Sequence, residues 1–336
     1  MERKLNREKW IDLAKIVACI LVALGHLLQS LEKANIINNS DGLEWFMDTI
    51  YLFHVQIFFI CSGYLYERNS IVNTLRRWKE NIIRKLIYLG IPYFFFSSIT
   101  IVLKNLFREN INNSTQYGIK DILFSPIPPY WFLYVLFFIF VFIPTVKTYL
   151  GIGGLLLFII ILRIVIVHFG IGGNIYFLAQ LATYGVWFVI GMLLALTGTR
   201  VLNSYLRGLF SFGIFIVVSI IPLGLNNNGF FYIFLMGLLA TYGVLSVCFH
   251  VCSNNKLWWI KYLSRYTMPV YLMHTLCAAP IRVVLNKLGA PMVLHFFFGI
   301  FFSFVAPCVV YEIMIKMKIS FLVSPDINSL GRKYGK

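Results

Sequence analysis

The feature that most limits the folds open to this chain is the length of its apolar runs. Stretches such as YWFLYVLFFIFVFI (130–143) and FFFGIFFSFVAPCVV (296–310) are continuous and uncharged. A transmembrane β-strand shows short alternating segments, so these runs exclude an outer-membrane barrel and predict helices that cross a bilayer. Composition agrees: 59% of residues are hydrophobic, 12% are charged and the mean hydropathy is +0.79, outside the range of soluble domains. The 336 residues leave room for about ten helices of ~20 residues and short loops. The expected fold class is therefore an all-α polytopic integral membrane protein, one bundle of about ten transmembrane helices with no sizeable soluble domain. Any chemistry takes place within or beside the lipid bilayer.

Spans are expected near 11–30, 48–66, 86–104, 130–146, 151–169, 175–196, 208–225, 229–250, 266–284 and 291–315. Nine or eleven stay open, because the Gly-rich LGIGGLLL and FGIGGNIYF blur boundaries. With the amino terminus inside, the inner segments hold 22 of the 29 Lys and Arg and the outer ones six. That asymmetry follows the positive-inside rule. It assigns the net charge of +16 to topology rather than to a nucleic-acid partner, and it places both termini in the cytoplasm. The chain divides into a basic lead-in (1–10), a membrane domain (11–315) and a basic cytoplasmic tail (316–336). The first span does not read as a removable signal peptide: its apolar region is too long and charge penetrates its start. Cysteines 19, 61, 248, 252, 277 and 308 read as small apolar fillers, and no metal site is expected. The polar NNSTQYG and GLNNNG stretches read as outer loops.

The first span, IDLAKIVACILVALGHLLQS (11–30), carries Asp12, Lys15 and His26. Lys15 and His26 are eleven residues apart, which on a helix leaves them within about 20° of one face and about 16 Å apart along the axis; Asp12 lies about 40° away on the other side. Intramembrane ionisable groups are costly and mark a bundle interior or an aqueous cavity. For Asp12 and Lys15, snorkelling at the cytoplasmic interface is the competing reading. For His26, near mid-membrane, it is a structural histidine bonded to a backbone carbonyl.

The second span carries His54 and Gln56, then Ser62 and Gly63, small residues that allow close helix approach or make room for a narrow substrate chain. A basic inner loop follows, with Arg68, Arg76, Arg77, Lys79, Arg84 and Lys85. Topology accounts for it; so does an anionic cytosolic ligand held by cations. Arg163 lies deep in the fifth span and needs a partner or water. Tyr130 and Trp131, after Pro128 and Pro129, fall at an outer boundary where aromatic belts form. His274 lies in the ninth span, one turn after Tyr271. Glu312 is expected to pair with Lys316, four residues on.

Together these residues resemble the membrane acyltransferase 3 family. WIDLAKIVACILVALGH is similar to its first span, with Asp12, Lys15 and His26 in the places of an Asp, an Arg or Lys, and a His. FHVQIFFICSGYLY is similar to its second span, IRKLIYLGIPYFFF to its basic entry into the third, YWFLYVLF to a W-F-L signature and MPVYLMHT to a late Y-L-x-H. The resemblance covers most of the chain, in order. Two departures are Gln56, where the family often has proline, and a looser spacing of the basic residues before the third span.

The resemblance implies transfer of an acyl group, commonly acetyl from acetyl-CoA, to a hydroxyl of a cell-envelope carbohydrate on the far side of a bacterial cytoplasmic membrane. It makes His26 the catalytic histidine, assigns the Arg or Lys place to Lys15 and gives Arg84 and Lys85, with Arg76 and Arg77 nearby, to the CoA phosphates. Asp12 is expected in support of Lys15. A histidine suits the task because it titrates near neutrality and can take the proton of an attacking hydroxyl; it can also carry the acyl group covalently. His54, Ser62, Tyr130, Trp131, Arg163 and His274 are candidates for the substrate pocket. A secondary transporter or flippase is the competing class, against which stands the lack of an internal repeat. A non-catalytic envelope scaffold is a third reading. The acceptor, the acyl group and a homo-oligomer stay open.

Overall fold

The fold is seen in a computed structural model that describes residues 8–38, 40–107, 118–170, 175–221, 229–254 and 257–325. Residues 1–7 of the lead-in, 326–336 of the tail, and all but the last residue of NNSTQYG and of GLNNNG lie outside the described residues. Among the described residues the regular structure is entirely helical. The helices are α1 (Lys9–Lys33), α2 (Asp41–Tyr51), α3 (His54–Asn69), α4 (Leu75–Lys85), α5 (Ile91–Leu106), α6 (Ile119–Phe124) and α7 (Trp131–Phe142), followed by α8 (Tyr149–His168), α9 (Tyr176–Thr197), α10 (Tyr205–Ile220), α11 (Phe230–Asn254), α12 (Trp258–Leu263), α13 (Thr267–Lys287) and α14 (Met292–Lys316). Among the described residues eight segments are long and apolar enough to cross a membrane, and two shorter apolar helices, α7 and α10, occupy the places of the fourth and seventh expected spans. The all-α polytopic class therefore holds, with eight span-length segments and two shorter apolar helices among the described residues where ten spans are expected.

Two spans are more than single helices. The second begins at Asp41, where Ser40 caps α2 by accepting from the Leu43 amide at 3.3 Å, and it breaks at Leu52 and Phe53 before α3 resumes. The third begins well before residue 86. The basic stretch expected as a loop is helix α4, because nothing between Leu75 and Gly90 interrupts the turn and Thr74 caps its start, accepting from the Arg77 amide at 3.3 Å. A π turn over Leu86–Gly90 joins α4 to α5 just ahead of Pro92, which lacks an N–H and disturbs the hydrogen-bond ladder there.

Helix α7 is short, 12 residues or about 18 Å, against a hydrocarbon core of about 30 Å. Prolines bound it on both sides: Pro129 precedes its start and Pro144 forces Ile143 into extended backbone. Its last carbonyls meet side-chain donors instead of water. Trp78 Nε1 donates to Val141 at 2.8 Å, Asn81 Nδ2 to Phe140 at 3.5 Å and the Tyr66 hydroxyl to Ile143 at 3.1 Å, as backbone groups left in hydrocarbon require.

The core is built round α3. Gly63 of α3 and Gly191 of α9 meet back to back: a Cβ on Gly63 would lie 1.9 Å from the Phe188 oxygen, and one on Gly191 2.0 Å from the Ile60 oxygen. Small residues let the two backbones touch, which bears out the packing role read for Gly63. Helix α1 packs against α3, α11 and α13. Helices α8 and α14 are peripheral, with only 17% and 22% of their most apolar windows buried, against 67% for the second span. All six cysteines are free.

Candidate active site

At the amino-terminal end of α1, Glu8 forms an ion pair with Arg68 at the end of α3. Trp10 donates to Glu8 at 2.6 Å and packs edge-on against Tyr64 with ring centroids 5.2 Å apart. These contacts fix the register of α1 on α3. As a result Asp12 and Lys15 both lie within electrostatic reach of the buried Cys61, so they face α3 as the helical spacing predicts.

The basic candidates separate by helix phase. Arg76 points outward, its side chain 89% exposed, and pairs with Glu80 at 3.0 Å on the same helix. Arg77 is exposed and donates to Asn73 Oδ1 at 3.1 Å. Arg84 is exposed. Lys85 alone of the four turns inward, with Nζ 3.8 Å from the centroid of the Phe140 ring, and both Lys15 and Arg84 act on it electrostatically. Lys15 and Lys85 have no carboxylate within ion-pair distance among the described residues. Two half-buried cations brought together in this way suit an anionic ligand, to which charge-assisted hydrogen bonds are the strong ones.

Further along α1, His26 lies 17 residues from the start of the helix and seven from its end, or about 26 Å and 10 Å. It therefore sits nearer the carboxyl-terminal end of α1, which runs from residue 9 to residue 33. Its ring is 5.3 Å from that of His274, centroid to centroid, and His54 acts on it electrostatically. His54 and His274 are both buried. His54 Nδ1 lies 2.5 Å from the Ile50 oxygen; His274 Nδ1 lies 3.0 and 2.9 Å from those of Val270 and Tyr271. A ring nitrogen facing carbonyl oxygens must carry the hydrogen, which leaves Nε2 of each neutral ring as an acceptor. His274 Nε2 is buried with no hydrogen-bond partner. His26 itself makes no hydrogen bond among the described residues, so its nitrogens are available to a ligand.

The tyrosines near His274 hold it in place. Tyr271 donates to the Pro129 oxygen, and Tyr130 reciprocates to the Leu272 oxygen at 3.2 Å while meeting Thr100 at 3.0 Å. Tyr130 is fully buried. It is a strut between α5, α7 and α13 rather than part of an interfacial belt, because Pro128 and Pro129 turn it inward. Trp131 packs on Tyr184 with centroids 5.1 Å apart.

A cavity of about 510 Å³ opens at the outer end, on the opposite side of the histidines from Lys15. Trp45, Asp48, Gln56, Arg163, Tyr184 and Trp187 are among its walls. Of the pocket candidates, Arg163 lines it; His54, Ser62, Tyr130, Trp131 and His274 do not. The cavity borders the histidines through Tyr51, which lines it and stacks edge-on against His54 with centroids 4.9 Å apart. Ser62 is half-buried beside the Gly63 crossing.

Three features escaped the sequence reading. Arg282 donates to Ser30 Oγ and O at 2.5 and 3.0 Å, tying α13 to α1 one turn beyond His26; its place inside a predicted span is the signal that singled out Arg163. Glu67 is 1% exposed and pairs with Lys147 at 2.7 Å, anchoring the α7–α8 link. Glu312 accepts from Tyr266 at 2.6 Å and pairs with Arg265 at 3.1 Å, so it bridges helices instead of pairing with Lys316. The backbone places those partners closer than the turn below.

The chain is similar to known proteins. Two curated relatives are Nodulation protein NolL of Mesorhizobium japonicum, 28% identical over 146 residues (43% of this chain, 37% of the relative), and Nodulation protein NolL of Sinorhizobium fredii, 30% identical over 131 residues (38% and 34%). The matches thus span about a third of the length of each relative. No solved structure matches. A family profile described as "Acyltransferase domain" matches residues 8–312, from the Glu8 clamp to the Glu312 bridge, and the chain belongs to that membrane acyltransferase family.

Proposed function

We propose that the protein transfers an acyl group, acetyl from cytoplasmic acetyl-CoA, to a hydroxyl of an extracytoplasmic cell-envelope carbohydrate in the bacterial cytoplasmic membrane. The observation that carries this reading is the order of groups along α1: a half-buried pair of cations, Lys15 and Lys85, at one end, His26 with two further histidines beyond it, and a polar cavity at the other end. This order fits a donor with an anionic head and a slender arm. The donor supplies an activated acyl thioester. Lys15 and Lys85 hold its phosphates, supported by Arg84 at the rim, and the ~16 Å between Lys15 and His26 along the helix accommodates the arm. Asp12 keeps the inner face from being uniformly cationic.

His26 takes the proton of the acceptor hydroxyl as that oxygen attacks, and returns it to the leaving thiolate. An alcohol has a pKa far above 7, so a base in hydrogen-bond contact is needed, and a neutral imidazole is matched to that role. His54 and His274 each have one ring nitrogen committed to backbone oxygens, which leaves His26 the ring with neither nitrogen committed among the described residues. A covalent acyl group on His26 is the variant of the same scheme; labelled protein after rapid denaturation at neutral pH distinguishes the two, since an acyl-imidazole hydrolyses quickly in acid.

The test is purified protein in lipid nanodiscs with acetyl-labelled CoA and envelope glycan. Wild type is expected to cleave the thioester and label the glycan, and His26→Ala to do neither while remaining inserted. Thioester cleavage at the wild-type rate in His26→Ala sinks the assignment, and intact thioester in the wild type returns the protein to the transporter class. Lys15→Arg is expected to retain more activity than Lys15→Ala; equal activity reduces Lys15 to a topological anchor.

A further inference from the structure

Arg163 stands in a wall shared by two hollows. On one side is the cavity of about 510 Å³ with its tryptophans and tyrosines; on the other is a hollow of about 330 Å³ walled by Ile166, Val167, Ala179 and Ala182. Val167 is 69% exposed, as are its neighbours Ile164 and Phe169 at 62% and 69% on the peripheral helix α8. In a bilayer these side chains meet lipid, so the smaller hollow opens toward hydrocarbon, whereas the larger opens at the outer end of the bundle.

The guanidinium is held but not neutralised. It donates to Thr183 Oγ1 and lies over the Phe230 ring, 4.4 Å from its centroid. Among the described residues no carboxylate is within ion-pair distance of it. Asp48 lines the same cavity but is exposed. One of five N–H donors is used on Thr183, and the fork that remains matches a phosphate. Gln56 adds a second, independent observation. It lines the larger cavity, is 5% exposed, and its Oε1 is buried with no donor. A buried acceptor without a donor asks for a ligand hydroxyl.

We propose that Arg163 binds the phosphate of a lipid-linked sugar: the sugar occupies the larger cavity with a hydroxyl donating to Gln56, and the acyl chain or isoprenoid leaves through the smaller hollow into the bilayer. Charge complementarity fixes the phosphate at the wall, since a linking phosphate is the one group of such a molecule that lies between its polar and apolar parts. The inference rests on the acyltransferase reading, because it states the form in which the acceptor reaches His26.

The test uses the full chain in phosphatidylcholine nanodiscs and isothermal titration calorimetry with four kinds of probe: dodecyl phosphodiesters of glucose and of N-acetylglucosamine, dodecyl glucoside, glucose 1-phosphate and dodecyl phosphate. At least one sugar diester is expected to bind tenfold or more tightly than each of the other three kinds. Arg163→Gln is expected to remove that advantage without changing the weak affinity for dodecyl glucoside, Arg163→Lys to restore part of it, and Gln56→Leu to weaken only the sugar-bearing probes. Dodecyl glucoside binding as well as the diesters overturns the phosphate contact. Glucose 1-phosphate doing so overturns the lipid chain, and dodecyl phosphate doing so makes the site one for ordinary phospholipid. His26→Ala is expected to bind the diesters normally, so diester binding by a wild type that leaves acetyl-CoA intact would defeat the acyltransferase reading and spare the site.

Discussion

Lys85 and Arg163 each rest against a phenylalanine ring, at 3.8 Å from Phe140 and 4.4 Å from Phe230, at opposite ends of the bundle. Their surroundings differ. Lys85 is one of six basic residues between 68 and 85, a density that topology alone demands, and only the phase of α4 turns it inward while Arg76, Arg77 and Arg84 face solvent. Arg163 is alone in an apolar helix, where a cation is expensive and needs a reason. The comparison teaches that isolation in hydrocarbon is informative without a structure, whereas membership of a basic cluster is not: within a cluster, burial is what sets one cation apart from the others.

The two ends share one support, and breaking it should break both. Gly191→Leu drives a side chain into the Ile60 carbonyl, which stands 2.0 Å from where even a Cβ would lie. Overpacking of a well-packed interior costs roughly 1–3 kcal/mol, occasionally more, and here the obstacle is backbone that cannot turn aside. The expected result is loss of monodisperse protein by fluorescence-detected size exclusion. Gly153→Leu on α8, where a Cβ meets nothing within 4 Å, should leave the profile unchanged; equal profiles would remove the α3–α9 crossing from the centre of the fold.

If the inner cations and the outer cavity serve one reaction, the group between them should be decisive for both. His26→Ala is expected to lower acyl transfer by at least ~10²-fold, the low end of what general acid–base groups contribute, with unchanged insertion. His274→Asn should cost less, since Asn keeps a donor for the Val270 and Tyr271 carbonyls, while its effect on the pH profile would show whether the second ring sets the charge state of the first. A larger loss in His274→Asn than in His26→Ala would exchange their roles.

Much of this was legible in the sequence, for reasons that differ by element. The spans were visible because a bilayer enforces long apolar runs, and the shared face of Asp12, Lys15 and His26 because helical phase is arithmetic. Pairing between elements was not legible. Nothing local to Tyr130 says that it reaches Leu272 or that Tyr271 answers at Pro129, and Glu312 met Arg265 rather than its own helix neighbour because interhelical geometry decides among partners of equal chemistry. The helical state of 75–85 was obscured by its charge, which reads as a loop until Thr74 is seen as a cap and Trp78 and Asn81 as anchors.

The comparison sharpens next at Lys85. Its Nζ is half-buried beside Lys15, so Lys85→Ala should raise KM for the acyl-CoA donor about tenfold, roughly one charge-assisted contact of ~1.4 kcal/mol, with kcat little changed. A donor lacking the 3′-phosphate would locate the contact: if Lys85 holds that group, the variant and the shortened donor should not be additive. A fall in kcat with KM constant would move Lys85 from donor binding to support of α7 through Phe140.

The smallest effect is expected at Arg76, which the sequence places in the same cluster. It is 89% exposed and already paired with Glu80 across one helical turn. An exposed pair of this kind contributes a few tenths of a kcal/mol and is screened by salt, so Arg76→Ala should change KM for the donor by less than about twofold, and raising the ionic strength should erase even that. Lys85→Ala should keep most of its defect at high salt, because a half-buried charge over an aromatic ring is shielded from counterions. Equal salt-sensitive defects in the two variants would mean that the donor is drawn in by the field of the whole basic face, and burial would then cease to distinguish one cation of α4 from another.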